Sequence, residues 1–321
     1  MSESETYSDE RVVRSDLAVR PVSPQQRRWW RSRYTLPFLL LLPAMAIILA
    51  ILVYPALMTI WLSLHNIRLS ATEQPFIGLK NFQVILTSRL LTVVLRNSFV
   101  WTLGSMAVQF VLGFSTALIL DRMGKWGNFL RGVLIVPWVM PGIVIAFIWK
   151  WMLSPDWGVV NWFLTQIGLV DAYIPWLARG NTAMLAIIIA NGWKGFPFWM
   201  IMISAGLKSI HSEIYDAAAV DGAAGWRLLW YVIIPLLRLP LFVTSTLAFI
   251  WTFNYFDLIF ALTRGGPVDA TRTVPIYIYD TAFTAFRIGE ASAASVLLLL
   301  MMSAIVFFYA RALRIQGGQL T

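Results

Sequence analysis

Six long apolar stretches constrain this chain more than any other feature: near Leu36–Leu64, Phe99–Leu120, Gly132–Met152, Ala183–Leu207, Leu241–Leu262 and Ala291–Ala312. Each reaches the roughly 20 residues that a helix needs to cross about 30 Å of hydrocarbon. A chain of 321 residues that is 59% hydrophobic and 13% charged cannot enclose that much apolar surface in one soluble core. The expectation is an all-α integral membrane protein with six transmembrane helices. Pro37, Pro43 and Pro55 in the first stretch and Pro197 in the fourth predict kinks there, which packed helices tolerate when neighbours or water satisfy the freed carbonyls.

The basic residues orient these spans. With a cytoplasmic amino terminus, fifteen Lys and Arg fall on the cytoplasmic side and eight on the other, with Lys150 and Lys194 inside spans. By the positive-inside rule both termini are expected in the cytoplasm of a cell-membrane protein. The net charge of +9 does not point to nucleic acid, because the excess sits between Arg11 and Arg33 and in short juxtamembrane loops. Beside Trp29 and Trp30 it suits anionic membrane lipids. Residues 1–35 are expected to be a disordered basic cytoplasmic tail, 36–313 the transmembrane domain and 314–321 a short cytoplasmic tail. The first apolar run is too long and starts too late for the core of a cleaved signal peptide.

Several chemistries are excluded. There is no cysteine, hence no disulfide, thiolate metal site or cysteine nucleophile. No G-x-x-x-x-G-K-[ST] loop occurs, so this chain is not expected to hydrolyse ATP, and no GxSxG or HExxH motif marks an enzyme. His65 and His211 have no second ligand type at useful spacing and read as surface residues, so no metal and no cofactor are expected to bind this chain.

A polar island lies between the fourth and fifth spans, within residues 208–240. Ser212 can cap a helix whose first turn carries Glu213 and Asp216, carboxylates that suit the N-terminal dipole, and Ala217, Ala218 and Ala219 continue it. Gly222 is expected to stop it. A second run, with Trp226, Leu229, Trp230 and Ile233 at helical spacing on one face, is expected to end at Pro235.

The island resembles the EAA loop of permease subunits in binding-protein-dependent ABC importers. The pattern is met by Asp216-Ala217-Ala218, Gly222 and Val232-Ile233-Ile234-Pro235, and Asp221-Gly222-Ala223 matches the form common in the carbohydrate branch. Asp216 departs from the usual glutamate by one methylene. Phe76 to Phe82 is similar to the GLxNF segment of sugar permeases, Asp156-Trp157-Gly158 with Asn161 is similar to their outer loop, and Thr263-Arg264-Gly265-Gly266-Pro267 matches their TxGGP turn. The short amphipathic piece from Trp162 to Ile167 either caps the outer mouth or lies on the bilayer. Together these features resemble the MalF/UgpA type, and the whole chain is similar to permeases of trehalose-importing systems.

The resemblance implies a type I importer permease fold. Glu213, Tyr215, Asp216, Ala217, Ala218, Asp221, Gly222, Ala223 and Pro235 would form or flank a coupling helix on the cytoplasmic ATPase. Further partners would be a second permease in a heterodimer, two ATPase copies using ATP and Mg, and an extracytoplasmic sugar-binding protein in soluble or lipoprotein form. Anchoring on the GxP and TxGGP motifs, the resemblance places Asn191, Lys194, Gly195, Phe198, Ala248 and Thr252 along the sugar path. Phe198 and Ala248 lack the hydroxyls of the maltose-type pattern, and Lys194 is unusual there.

The residues themselves add that Gly192 and Gly195 permit close backbone approach, and that Trp193, Phe196 and Phe198 offer faces for a sugar ring. Lys194 and Asp257 carry charge inside spans. Either they line an aqueous path, or Asp257 anchors a helix end and Lys194 snorkels. For Asp257 the structural role is preferred. A second class of protein, an ion-coupled secondary carrier using Lys194 and Asp257, would show matching broken helices in both halves.

Overall fold

The computed structural model describes residues 35–68 and 73–317. Residues 1–34 of the tail expected over 1–35 lie outside them. The described residues form helices joined by turns and loops, with no strand among them. The chain divides into two compact units, one ending at Met58 and the other starting at Thr59. Helix α1 crosses that division, running as Thr35–Ile48, a π turn at Leu49–Val53 and then Tyr54–Ser63. The wide turn precedes Pro55, whose ring would otherwise crowd the carbonyl one turn back, so the proline is absorbed without a sharp break.

In the second unit, α2 (Lys80–Leu86) and α3 (Arg89–Arg122) come first, followed by the pair α4 (Gly124–Val139) and α5 (Gly142–Met152). Then come α6 (Val159–Gln166), α7 (Gly180–Lys208), α8 (Ser212–Val220) and the pair α9 (Trp226–Leu236) and α10 (Arg238–Phe253). Helices α11 (Asp257–Leu262), α12 (Val274–Tyr279) and α13 (Ile288–Gly317) complete the chain. Among the described residues four helices are long and apolar enough to cross a membrane, and the count reaches six if each bent pair is one span.

Several boundaries differ from expectation, each for a local reason. Helix α3 starts ten residues early, because Ser88 accepts the Leu90 N–H at 3.3 Å and caps a first turn too polar to look like a span. The third stretch is not one helix. Met140 is extended (ψ 140°) ahead of Pro141, as a residue before proline prefers, and α4 and α5 meet at 94°. The fifth stretch ends at Phe253, where the Asn254 side chain bonds the Ile250 carbonyl at 2.8 Å, and resumes only at Asp257. At the other end α13 continues to Gly317, so residues 314–317, expected to be tail, are helical.

Helices α3 and α7 form the centre. A Cβ on Gly192 would overlap Val108, and one on Gly195 would overlap Gln109, so glycine sets how closely the two backbones approach. Gln109 then ties them together, donating to the Asn191 carbonyl and accepting from Trp199 Nε1, both at 3.2 Å. The TxGGP turn is held by hydroxyls: Thr263 and Thr271 are 2.7 Å apart, and Thr271 donates to the Gly266 carbonyl at 2.7 Å. Asn161, fully buried, pins the outer loop by donating to Ser154 and Ile174 carbonyls and accepting from Ile174 N–H and Trp176 Nε1.

Candidate solute cavity and docking helix

Two places carry the residues singled out from sequence. The first is a cavity of about 110 Å³. Asn191, Lys194, Gly195 and Phe198 reach it from α7, being spaced i, i+3, i+4 and i+7 on one face. Ala248, Trp251 and Thr252 reach it from the end of α10, and Tyr255 from the break just after it. Gln109 from α3 and Trp138 from α4 complete the lining. All six residues expected along the path therefore meet in one space.

Four lining residues are aromatic, four others carry polar or charged side chains, and Gly195 and Ala248 are small. Phe198 stands between Trp138 (6.0 Å, nearly parallel) and Trp251 (5.0 Å), so the three rings form one wall. Trp193 and Phe196, the other aromatics expected here, point elsewhere: Trp193 packs edge-on against Trp149, and Phe196 is buried at the α3 contact near Gly113. Asn191 is 5% exposed and its Nδ2 has no hydrogen-bond partner, and the Tyr255 hydroxyl is also unpartnered.

Lys194 Nζ donates to the Trp138 carbonyl at 3.4 Å and lies 5.7 Å from the Tyr255 ring centre. Among the described residues it has no ion pair with Asp257, which stands exposed at the first turn of α11. Gln109, Trp138, Trp251 and Tyr255 were not anticipated. Gln109 was visible as the lone amide in an apolar run, and Trp251 and Tyr255 complete a helical face with Ala248. Trp138 gave no signal, since the break at Met140–Pro141 decides where it points.

The second place is the polar island. Helix α8 ends in a Schellman motif: Ala223 N–H bonds the Ala218 carbonyl at 2.8 Å, Gly222 N–H bonds Ala219 at 3.1 Å, and Gly222 has φ +73°. The glycine stop is thus a left-handed residue. The N-terminal cap differs from expectation, since Ser212 is already helical, His211 is the cap residue, and no side chain caps the end. Glu213, Asp216, Ala217, Asp221 and Gly222 are exposed, whereas Ala218 is buried and Tyr215 and Ala223 are half-buried.

Tyr215 joins the apolar cluster at the ends of α3 and α7 that includes Leu120 and Leu207. Burial, and secondarily the Asp121 carboxylate, pushes the Tyr215 phenol above its ordinary 10.0. In α9 the expected single face is split, with Trp226 and Trp230 74% and 59% exposed and Ile233 buried. A π turn at Leu229–Ile233 shifts the register, so that Leu229, Ile233 and Leu237 face the cluster instead. Pro235 is exposed, and the run continues past it to Leu236 before bending 70° into α10.

Residues 109–316, which include the cavity and α8, match the binding-protein-dependent transport system inner membrane components. The chain belongs to that family. This permease is 31% identical over 284 residues to the trehalose/maltose transport system permease protein MalF of Thermococcus litoralis, covering 88% of this chain and 94% of that one. It is 31% identical over 275 residues to the trehalose transport system permease protein SugA of Mycobacterium tuberculosis, covering 85% and 87%. In fold it is similar to a chain of a bacterial ABC transporter involved in import of the acidic polysaccharide alginate, with a TM-score of 0.76 at 24% identity over 89% of this chain and 98% of that one. The permease is accordingly a multi-pass inner-membrane protein, a transport component and not itself an enzyme.

Proposed function

We propose that this permease is the membrane subunit of an ATP-driven importer that takes up a sugar, a disaccharide such as trehalose, delivered by an extracytoplasmic sugar-binding protein. The observation that carries this reading is the single cavity on which Asn191, Lys194, Gly195, Phe198, Ala248 and Thr252 meet. The trehalose and maltose systems of the two relatives support the choice of cargo. A sugar hydroxyl both donates and accepts, so it suits the unpartnered Asn191 amide and Tyr255 hydroxyl, while the apolar face of a pyranose suits the Phe198 wall.

At about 110 Å³ the cavity is smaller than the roughly 300–1,000 Å³ usual for ligand sites, so α7 and α10 must part for cargo to pass. Helix α8 is suited to drive that movement. Its exposed small and acidic face, with Glu213, Asp216, Ala217, Asp221 and Gly222, docks on a cytoplasmic ATPase, which holds the ATP and Mg. Its other face, through Tyr215 and Ala218, leans on the ends of α3 and α7. A second permease subunit supplies the other half of the path, two ATPase copies serve the pair, and both termini face the cytoplasm.

The test is uptake of labelled trehalose by vesicles containing the permease with its partner permease, ATPase and binding protein. Uptake is expected to require ATP and the binding protein and to survive collapse of the ion gradients. Uptake that follows an ion gradient and ignores ATP would overturn this function in favour of a secondary carrier. That alternative is not favoured, because the chain belongs to the binding-protein-dependent transport system inner membrane components.

A further inference from the structure

Lys194 is the one charged side chain on the cavity lining, and it sits midway along α7, a span-length helix. Charge at that depth is costly and calls for a role. No carboxylate lines the cavity, and Lys194 takes part in none of the ion pairs among the described residues. Its partners are a carbonyl at 3.4 Å and an aromatic ring. Beside it the Asn191 Nδ2, on a side chain 5% exposed, has no hydrogen-bond partner. The Gln109 Oε1 accepts from Trp199 Nε1. Lys194 is thus the only formal charge on the lining itself, with the Asp257 carboxylate acting on it from outside the cavity.

We propose that Lys194 is an electrostatic barrier that keeps cations, protons included, from following the sugar through the path. This rests on the reading of the cavity as the solute path. A path that opens under a membrane potential leaks unless something repels small ions, and a fixed positive group in a constriction does so. At about 5 Å and an effective dielectric of about 20, the repulsion lowers cation occupancy roughly a hundredfold. A neutral sugar is not repelled, and its hydroxyls accept from the same ammonium.

The test uses the whole complex in vesicles with an internal pH dye and a potassium diffusion potential, inside negative, while binding protein, trehalose and ATP drive turnover. Proton entry is compared for wild type, K194R, K194M and K194E. The expected order is K194E above K194M, with K194M at least roughly tenfold above wild type and K194R equal to it. If K194E does not assemble, K194M against K194R carries the comparison. Equal proton entry in all variants overturns the barrier, and so does slower sugar uptake in K194M with no added leak, which would make Lys194 a sugar ligand alone. Failure of ATP-driven uptake in the wild type would instead overturn the transport reading, and with it the path on which the barrier acts.

Discussion

The cavity around Asn191 is closed in by side chains from α3, α4, α7 and α10, contributed by segments as far apart as Gln109 and Tyr255. Helix α8 does the opposite: between Glu213 and Gly222 it holds small and acidic groups out on a surface. The difference suits what each place would do in the proposed importer. A docking segment must be displayed, so its chemistry can be contiguous and its shape set by one helix and one turn. A path through a membrane must be enclosed, so its chemistry is divided among helices, and each contributes only one face. Damage should differ accordingly: local geometry should matter most at α8, and a single polar atom should matter most in the cavity.

The sharpest way to break this comparison is at Gly222. Its φ of +73° costs an L residue roughly 1–2 kcal/mol, whereas asparagine tolerates that region, and no atom lies near enough to clash with an added Cβ. Gly222→Leu should lower uptake up to about thirtyfold with insertion intact, and Gly222→Asn should stay near wild type. Equal loss in both, measured as uptake per inserted complex, would mean that lack of a side chain and not turn geometry is what matters.

Asn191→Leu comes next. It leaves a passing hydroxyl without its donor, a cost of about 1–3 kcal/mol, and should slow transport roughly tenfold while basal ATPase activity and sugar affinity of the binding protein are unchanged. Native uptake rates in vesicles would return Asn191 to ordinary helix packing.

The smallest effect is expected at Tyr215, where the two regions meet. Its raised pKa means that the folded protein holds the neutral phenol more firmly than the unfolded chain does. This contribution to stability is complete below the unfolded value of 10.0 and is lost as pH rises through the higher folded value. Tyr215→Phe should therefore change uptake less than about twofold near pH 7 and should remove the part of the alkaline loss of thermal stability that comes from this phenol. A large loss at neutral pH would show that the hydroxyl itself belongs to the docking surface.

Much of the local structure of α8 was legible in advance. Alanines, first-turn acids and a glycine stop act through backbone sterics and the helix dipole within a few residues, so their spacing nearly is their geometry. The cap at Ser212 was misread, because His211 takes the cap position one residue earlier. The faces of α7 and α10 were legible as separate stripes, and Asn191, Lys194 and Phe198 lay on one of them. Trp138 was not, since a proline break far from α7 in sequence aims it at Phe198.

By itself the sequence determined that the chain is helical and membrane-spanning, and that α8 stops at a left-handed glycine. Those properties follow from the length of apolar runs against the thickness of hydrocarbon and from the allowed backbone angles of each residue. Only the tertiary structure decided that the third and fifth stretches break, that Trp226 and Trp230 turn outward, and that ten separated residues share one cavity. Helical periodicity says which residues share a face and is silent about what that face meets. Here that depends on Gly192 and Gly195 letting α7 settle against α3, and on the bent pairs bringing Trp138 and α10 across to close the space.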